Sequence, residues 1–388
     1  MKTQYWAIAL SAALAASIGF SNPANAGWED RVTISGFGSA VYQTTDSDLY
    51  FNGEASEGGI NQDGSFQGTW WGLNINSTIS DRLTVASQIF GEVNEDFEVE
   101  VDWAFAAFKL TDQFTLRAGK IKFPVGLVNE YIDVGYAYPW LSAPHVIYTE
   151  ATSESPENES PTAPDVTRES YTGVSLLWDL PLGDLTLSSN LFGGFVGLEN
   201  ADQKKLRGLT LNLDWDDKVL LTASAYTGEM QNVSEFITNE EEVDLAEDVE
   251  FEDNPMAEMN GKDHSVVLVG VKADLNNVVF YAEASQVDID DMPSLSSQEW
   301  YATIGYRMGS WLPHFTYQEY ENDAEVGSDE HTKYNISSVG LRYELMKNTA
   351  LKLDVAQIDH EVGNGLLSGE IEDDDKIMKY GIGINYVY

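Results

Sequence analysis

Beyond residue 26 this chain contains no apolar run near the roughly 18 residues that a membrane-spanning helix needs. It has instead about sixteen segments of roughly ten residues in which apolar and polar side chains alternate. The first lie at 31–43, 68–80, 82–93, 99–110 and 114–122, and the last at 335–345, 349–360 and 377–388. The links between them alternate in length. Tight turns at Ser80-Asp81, Thr111-Asp112-Gln113, Pro181 to Gly183, Trp215 to Asp217, Asn276, Met308 to Trp311 and Met346 to Asn348 are separated by longer, more polar stretches such as 44–67, 123–169, 230–264 and 361–376.

Short turns on one side and long loops on the other are the asymmetry of a transmembrane antiparallel β-barrel, with periplasmic turns opposite extracellular loops. Side-chain parity agrees with that all-β reading. Val339, Leu341, Tyr343 and Leu345 share one face, while Gly340, Arg342 and Glu344 share the other. Leu351, Leu353 and Val355 oppose Lys352 and Asp354; Val267, Val269 and Val271 oppose Lys272; Ala302, Ile304 and Tyr306 oppose Tyr301, Thr303 and Arg307. A basic side chain aimed into lipid at mid-depth costs about 2–4 kcal/mol, so the charged faces are expected to line a wet lumen. A soluble two-sheet sandwich has the same period, but would carry these charges on the outside of both sheets without a disulfide to staple them, since the chain has no Cys.

Met1 to Ala26 has Lys2, an apolar run from Ala7 to Phe20 and the small residues Pro23-Ala24-Asn25-Ala26. That is the pattern of a secretory signal peptide over 1–26, which leaves 27–388 as the barrel. Sixty-four acids against twenty-one bases, a net charge of −43, exclude a general affinity for nucleic acid. The acids crowd between Glu229 and Asp263 and again at Glu370 to Asp375, as solvated loops do. No metal site, cofactor or catalytic residue is expected: His145, His264, His314, His331 and His360 form no HxxxH spacing, no GxSxG elbow occurs, and no thiolate is available.

One stretch fits neither strand nor polar loop. Arg117 to Trp140, RAGKIKFPVGLVNEYIDVGYAYPW, begins as a strand and becomes a long aromatic segment. The expectation is that it folds back into the barrel as the first part of a constriction loop over 123–169. Arg117, Lys120 and Lys122 would then face Glu130 and Asp133 across the narrowest part. Strict alternation sets Lys120 and Lys122 on the parity opposite to Arg117, so a bulge at Gly119 is required to bring them round. Without it they sit at the strand end, against lipid headgroups or loop acids. Lys272, Glu283, Arg307, Arg342, Glu344, Lys352 and Asp354 complete the expected pore lining.

The final strand, KYGIGINYVY, ends on Tyr386-Val387-Tyr388 and resembles the C-terminal recognition strand of outer-membrane proteins, which usually ends in Phe and is read by the barrel insertion machinery. The whole mature chain resembles Gram-negative porins, and RAGKIKFPVG is similar to a strand end of the phosphate-selective and related porins. The resemblance implies an outer-membrane homotrimer in contact with lipid and lipopolysaccharide. Ions and small hydrophilic solutes would pass it by diffusion, and the third long loop would set the pore size. Two alternatives stay open: a substrate-specific anion channel of the phosphate type, and a barrel that transports nothing and acts as a surface receptor or adhesin. The mixed signs of the inward residues count against the first.

Overall fold

In the computed structural model, each strand pairs with its neighbours in chain order and the last pairs with the first. The structure describes residues 31–51, 59–93, 97–148, 170–197, 202–231, 259–328, 330–362, 367–368 and 376–388. The expected leader over 1–26, the outer part of the third loop and the most acidic stretches of the loops lie outside these residues.

The barrel strands are β1 (Val32–Thr45), β2 (Trp70–Ser80), β3 (Leu83–Val93), β4 (Phe97–Lys109), β5 (Phe114–Lys122), β6 (Ser170–Leu182), β7 (Leu185–Gly197) and β8 (Asp202–Trp215). They continue as β9 (Val219–Gln231), β10 (Asp263–Leu275), β11 (Val278–Ile289), β12 (Ser297–Tyr306), β13 (Trp311–Asn322), β14 (Lys333–Met346), β15 (Thr349–Val362) and β16 (Lys376–Val387). All sixteen are antiparallel, and closure comes from β1 on β16, with Gly38 opposite Tyr386 and Ala40 opposite Ile384. A closed ring leaves no unpaired edge, which is how strands cross a membrane. No helix among the described residues is long and apolar enough to do so.

The faces fall as the parity predicts. Val339, Val267 and Ile304 are exposed on the outside, whereas Arg342, Tyr301 and Thr303 are buried within. Short turns are closed by residues that tolerate a left-handed backbone, such as Asn276 (φ 60°) and Asn348 (φ 62°). The eighth strand is the main departure in boundary: the alternation predicts 206–214, but the ladder begins at Asp202. The register slips between Arg207–Thr227 and Lys204–Glu229, where Lys205 has a φ of 53°. A bulge there interrupts the period of two and hides the first residues from a pattern reading. Outside the barrel wall, Tyr50–Phe51 and Leu367–Ser368 form a two-stranded ribbon joining the first and last long connections.

Candidate functional site

The chain leaves β5 through Phe123, which is fully buried and meets Tyr171, Phe192 and Tyr226 edge-on at centroid distances of 5.8, 5.6 and 4.9 Å. These rings belong to β6, β7 and β9, so the aromatic residue after the strand draws the backbone into the barrel. Thr210 donates to the Pro124 carbonyl at 2.5 Å and Asn129 to the Phe123 carbonyl at 2.8 Å, which fixes the turn. The described part of the loop, 123–148, then crosses the lumen in single helical turns at Asn129–Tyr131, Gly135–Ala137 and His145–Tyr148.

Buried charges on the far wall receive it. Glu283 of β11 accepts the Leu127 amide at 2.7 Å and the hydroxyls of Tyr148 and Tyr301 at 2.6 Å each. It thereby ties the two ends of the described loop segment to one carboxylate. Burial, and then the Glu283 charge, push the Tyr148 phenol up, so it remains the donor. Arg342 of β14 donates to the carbonyls of Tyr136 and Tyr138 at 2.6 and 2.9 Å. Lys352 of β15 donates to those of Gly135 and Trp140 at 2.5 Å each, beneath the Tyr138 ring. Trp140 hydrogen-bonds Thr303 at 2.8 Å and Thr316 at 3.1 Å, with Tyr281 and Tyr301 against its ring. Backbone carbonyls inside a barrel need donors; Arg342 and Lys352 supply them to four loop carbonyls, while the two threonine hydroxyls accept the Trp140 indole N–H.

On the near wall, Trp70 donates to the Asp133 carbonyl at 2.6 Å, and the Asp133 carboxylate meets Lys122 at 3.2 Å and Gln88 at 3.3 Å. Asp102 joins the same network, 3.3 Å from Lys122, 2.7 Å from Gln88 and 3.1 Å from Ser170. Asp102 is itself the bulge residue: the ladder runs from Gln88–Trp103 to Ile89–Val101 and skips it.

The expected constriction set therefore divides. Arg117 and Glu130 do face each other, at 3.5 Å, with the guanidinium over the Phe105 ring and the Glu130 side chain 45% exposed. Lys122 and Asp133 also meet, but both are buried in the tether rather than open to solutes. Lys122 turns inward because pairing with β4 stops at Ala104–Lys120. The bulge expected at Gly119 is absent, since the register runs unshifted through Phe105–Gly119 and Gly119–Gly173; the glycine has a φ of 141°, in a place where a Cβ would lie 2.3 Å from the Ala104 carbonyl oxygen.

Several expected lining residues need correction. Lys120 does not join the loop: it sits opposite Thr172 on the outward face and pairs with Glu100 at 3.9 Å. Glu283 and Lys352, 3% and 1% exposed, and Arg342 lie under the loop as its anchors, because the loop packs on that wall and covers them. Asp354 stands beside Lys379, whose ammonium reaches Gln43 at 3.0 Å. Glu344 pairs with Arg342 at 2.6 Å and accepts the Tyr136 hydroxyl. Arg307 pairs with Asp274 at 2.7 Å near the short turns, and Lys272 lies by the rings of Tyr131 and Tyr281. Sequence reasoning missed Asp102, Gln88, Trp70 and Tyr148. Asp102, an acid within Val101-Asp102-Trp103-Ala104-Phe105, was the one with a visible signal.

A closed barrel with a polar interior, an apolar exterior and one loop folded through the bore defines an outer-membrane channel. The family model described as Gram-negative porin matches residues 9–363, and the chain belongs to that family. It is a channel for passive diffusion across the bacterial outer membrane. The sequence matches no curated protein. Among solved structures it is similar to an anion-selective porin from Comamonas acidovorans (12% identity, 92% of this chain and 99% of that one, TM-score 0.59). It is also similar to OmpT of Vibrio cholerae in its trimer form (11%, 92% and 100%, 0.55) and to the channel DcaP of Acinetobacter baumannii (13%, 92% and 97%, 0.50). At such identities the likeness is one of fold.

Proposed function

We propose that ions and small hydrophilic solutes pass this barrel beside the Arg117–Glu130 pair, with a modest preference for cations, and that the 123–169 loop sets the width. The observation that carries the reading is the fate of the charges. Anchoring withdraws Glu283, Arg342 and Lys352 from the bore, while Glu130 remains accessible. Other inward positions carry charges of both signs, among them Asp179, Asp214, Glu299, Glu344 and Asp354 against Arg117, Lys272 and Lys379, with acids the more numerous of those named. A surplus of one sign favours ions of the other, and the described residues form no basic ladder for a phosphate-type path. The channel acts without chemistry on its solutes. It works as a homotrimer in contact with outer-membrane lipid and lipopolysaccharide, after a signal peptide over 1–26 has been removed and the insertion machinery has read Tyr386 and Tyr388.

The test is single-channel recording in a planar bilayer under a KCl gradient. Ohmic steps with a reversal potential on the cation side are expected. Small, saturable anion currents would favour the specific channel, and silence the receptor.

A further inference from the structure

The charged anchors of the loop stand on β11, β14 and β15, and the inner face of β7–β9 is of another kind. Asn190 of β7 lies opposite Thr210 of β8, which lies opposite Ser224 of β9. One rung nearer the short turns, Ser188, Asn212 and Thr222 repeat the order. Six inward positions on three adjacent strands thus carry only hydroxyls and carboxamides. The patch has definite borders. Toward the loop end the next inward rung is Phe192, Gly208 and Tyr226, and both rings meet Phe123. Toward the short turns it is Thr186, Asp214 and Leu220, followed by Lys272. Leu177 and Asp179 of β6 flank it on one side, Leu268 and Gly270 of β10 on the other.

Part of the hydrogen-bonding capacity of this patch is spent within the protein and part is not. Thr210 donates to the Pro124 carbonyl, so in its 3.0 Å contact with Ser224 the serine hydroxyl is the donor, and Ser224 Oγ is left as an acceptor. Asn190 and Thr222 are 6% and 4% exposed, yet neither Asn190 Oδ1 nor the Thr222 hydroxyl has a partner among the described residues. A buried polar atom so placed costs free energy until something bonds to it. Ser188 and Asn212, in the same two rungs, are only half-buried, so the patch is reachable from the bore.

We infer that this face is a binding site for small neutral polyols, open-chain or sugar-like, an inference that rests on the reading of the barrel as a diffusion channel and names a class of solute held in it. An aliphatic hydroxyl both donates and accepts. A run of them can donate to Asn190 Oδ1 and Ser224 Oγ while giving to or taking from Thr222. An ion meets no opposite charge within the two rungs, and the charges at their borders, Asp179, Asp214 and Lys272, are of both signs. The aromatic rung and Leu177 suit the C–H edges of such a solute.

The experiment records single-channel KCl currents with added sorbitol, and with tetraethylene glycol as an uncharged chain of similar mass whose interior oxygens only accept. Sorbitol should lower the wild-type current to a plateau with a measurable half-effect concentration. The glycol should lower it only as far as it lowers the conductivity of the bulk solution. In the double variant Asn190→Leu, Thr222→Val the half-effect concentration should rise about tenfold, as the loss of two hydrogen bonds implies; an unchanged value would overturn the site. KCl steps on which sorbitol acts no differently from the glycol would also overturn it and leave the channel standing, whereas a wild type that passes no KCl would remove the channel and the site together. Should the double variant fail to insert, isothermal titration of the wild type in detergent decides: sorbitol should give a saturable heat and the glycol none, and equal heats sink the proposal.

Discussion

The hydroxyl of Tyr148 donates to the carboxylate of Glu283 at 2.6 Å, and the same carboxylate holds the amide of Leu127 at 2.7 Å. Entry and exit of the described loop segment thus share one buried anion on the opposite wall. The path through the barrel is shaped by this clasp as much as by the loop's own residues.

Replacing Glu283 with Ala leaves the hydroxyls of Tyr148 and Tyr301 and the amide of Leu127 without their acceptor. Each such loss in a buried site costs about 1–3 kcal/mol, while the barrel ladder is untouched. The expected outcome is a folded, heat-modifiable barrel with a loosened loop, larger and noisier single-channel currents, and a lower unfolding temperature. Currents identical to wild type would mean that the clasp does not hold the loop.

Lys352→Met keeps the side chain's length and removes both donors to the Gly135 and Trp140 carbonyls. Leaving a buried carbonyl without its donor costs about 1–3 kcal/mol, and two are left here, so the variant should be among the least stable with an intact barrel. Lys352→Arg should restore part of the loss. Denaturant titration in detergent reads the order wild type, Arg, Met.

Arg117→Glu replaces the buried cation beside the accessible Glu130 with a second acid, so two carboxylates face each other where an ion pair stood. Local barriers should change by about 1 kcal/mol, roughly a fivefold change in ion preference, and the reversal potential should move further toward cations. Glu130→Gln should move it the other way. An unchanged potential in both variants would place the pair off the ion path.

Gly119→Ala puts a Cβ 2.3 Å from the Ala104 carbonyl oxygen at a φ of 141°. Strain of about 1–3 kcal/mol is expected, relieved by a shift of β5 that breaks the Lys122–Asp133 contact. Greater protease sensitivity of the loop, with the strand content unchanged by circular dichroism, is the predicted signature.

Deleting Tyr388 removes the reciprocal hydrogen bonds between Tyr388 and Gly36, at 2.9 and 3.1 Å, from the seam that closes the barrel. Its ring also covers Gly36, as that of Tyr386 covers Gly38. Slower appearance of the heat-modifiable form in the outer membrane is expected. Normal assembly kinetics would show that the seam closes without it.

Much of this was legible in the chain because the strand signal is local. Val339, Val267 and Ile304 declare their side of the wall by parity alone, and the contrast of short turns with long links gives the sidedness. The site was less legible, since its chemistry depends on what lies opposite. Arg342 and Lys352 read as inward cations and are so, but the sequence does not say that backbone carbonyls of the loop descend on them and shut out solvent. Nor does it mark Asp102 as a bulge: the slip is a property of the pair β4–β3, not of either strand. A bulge at Gly119 would turn both Lys120 and Lys122 inward, but the register runs unbroken through that glycine, so Lys120 keeps its outward parity and only Lys122, beyond the last pair with β4, reaches the tether.

Glu283, Thr303, Thr316, Arg342 and Lys352, which hold the inner loop, all follow it in the chain. These contacts span between 135 and 217 residues of sequence, so the loop is held only when strands from the far half of the chain have paired beside it. The narrowing of the pore is thus a property of the closed cylinder and not of the loop alone: a barrel assembled with β11–β15 displaced would leave the loop untethered on that side.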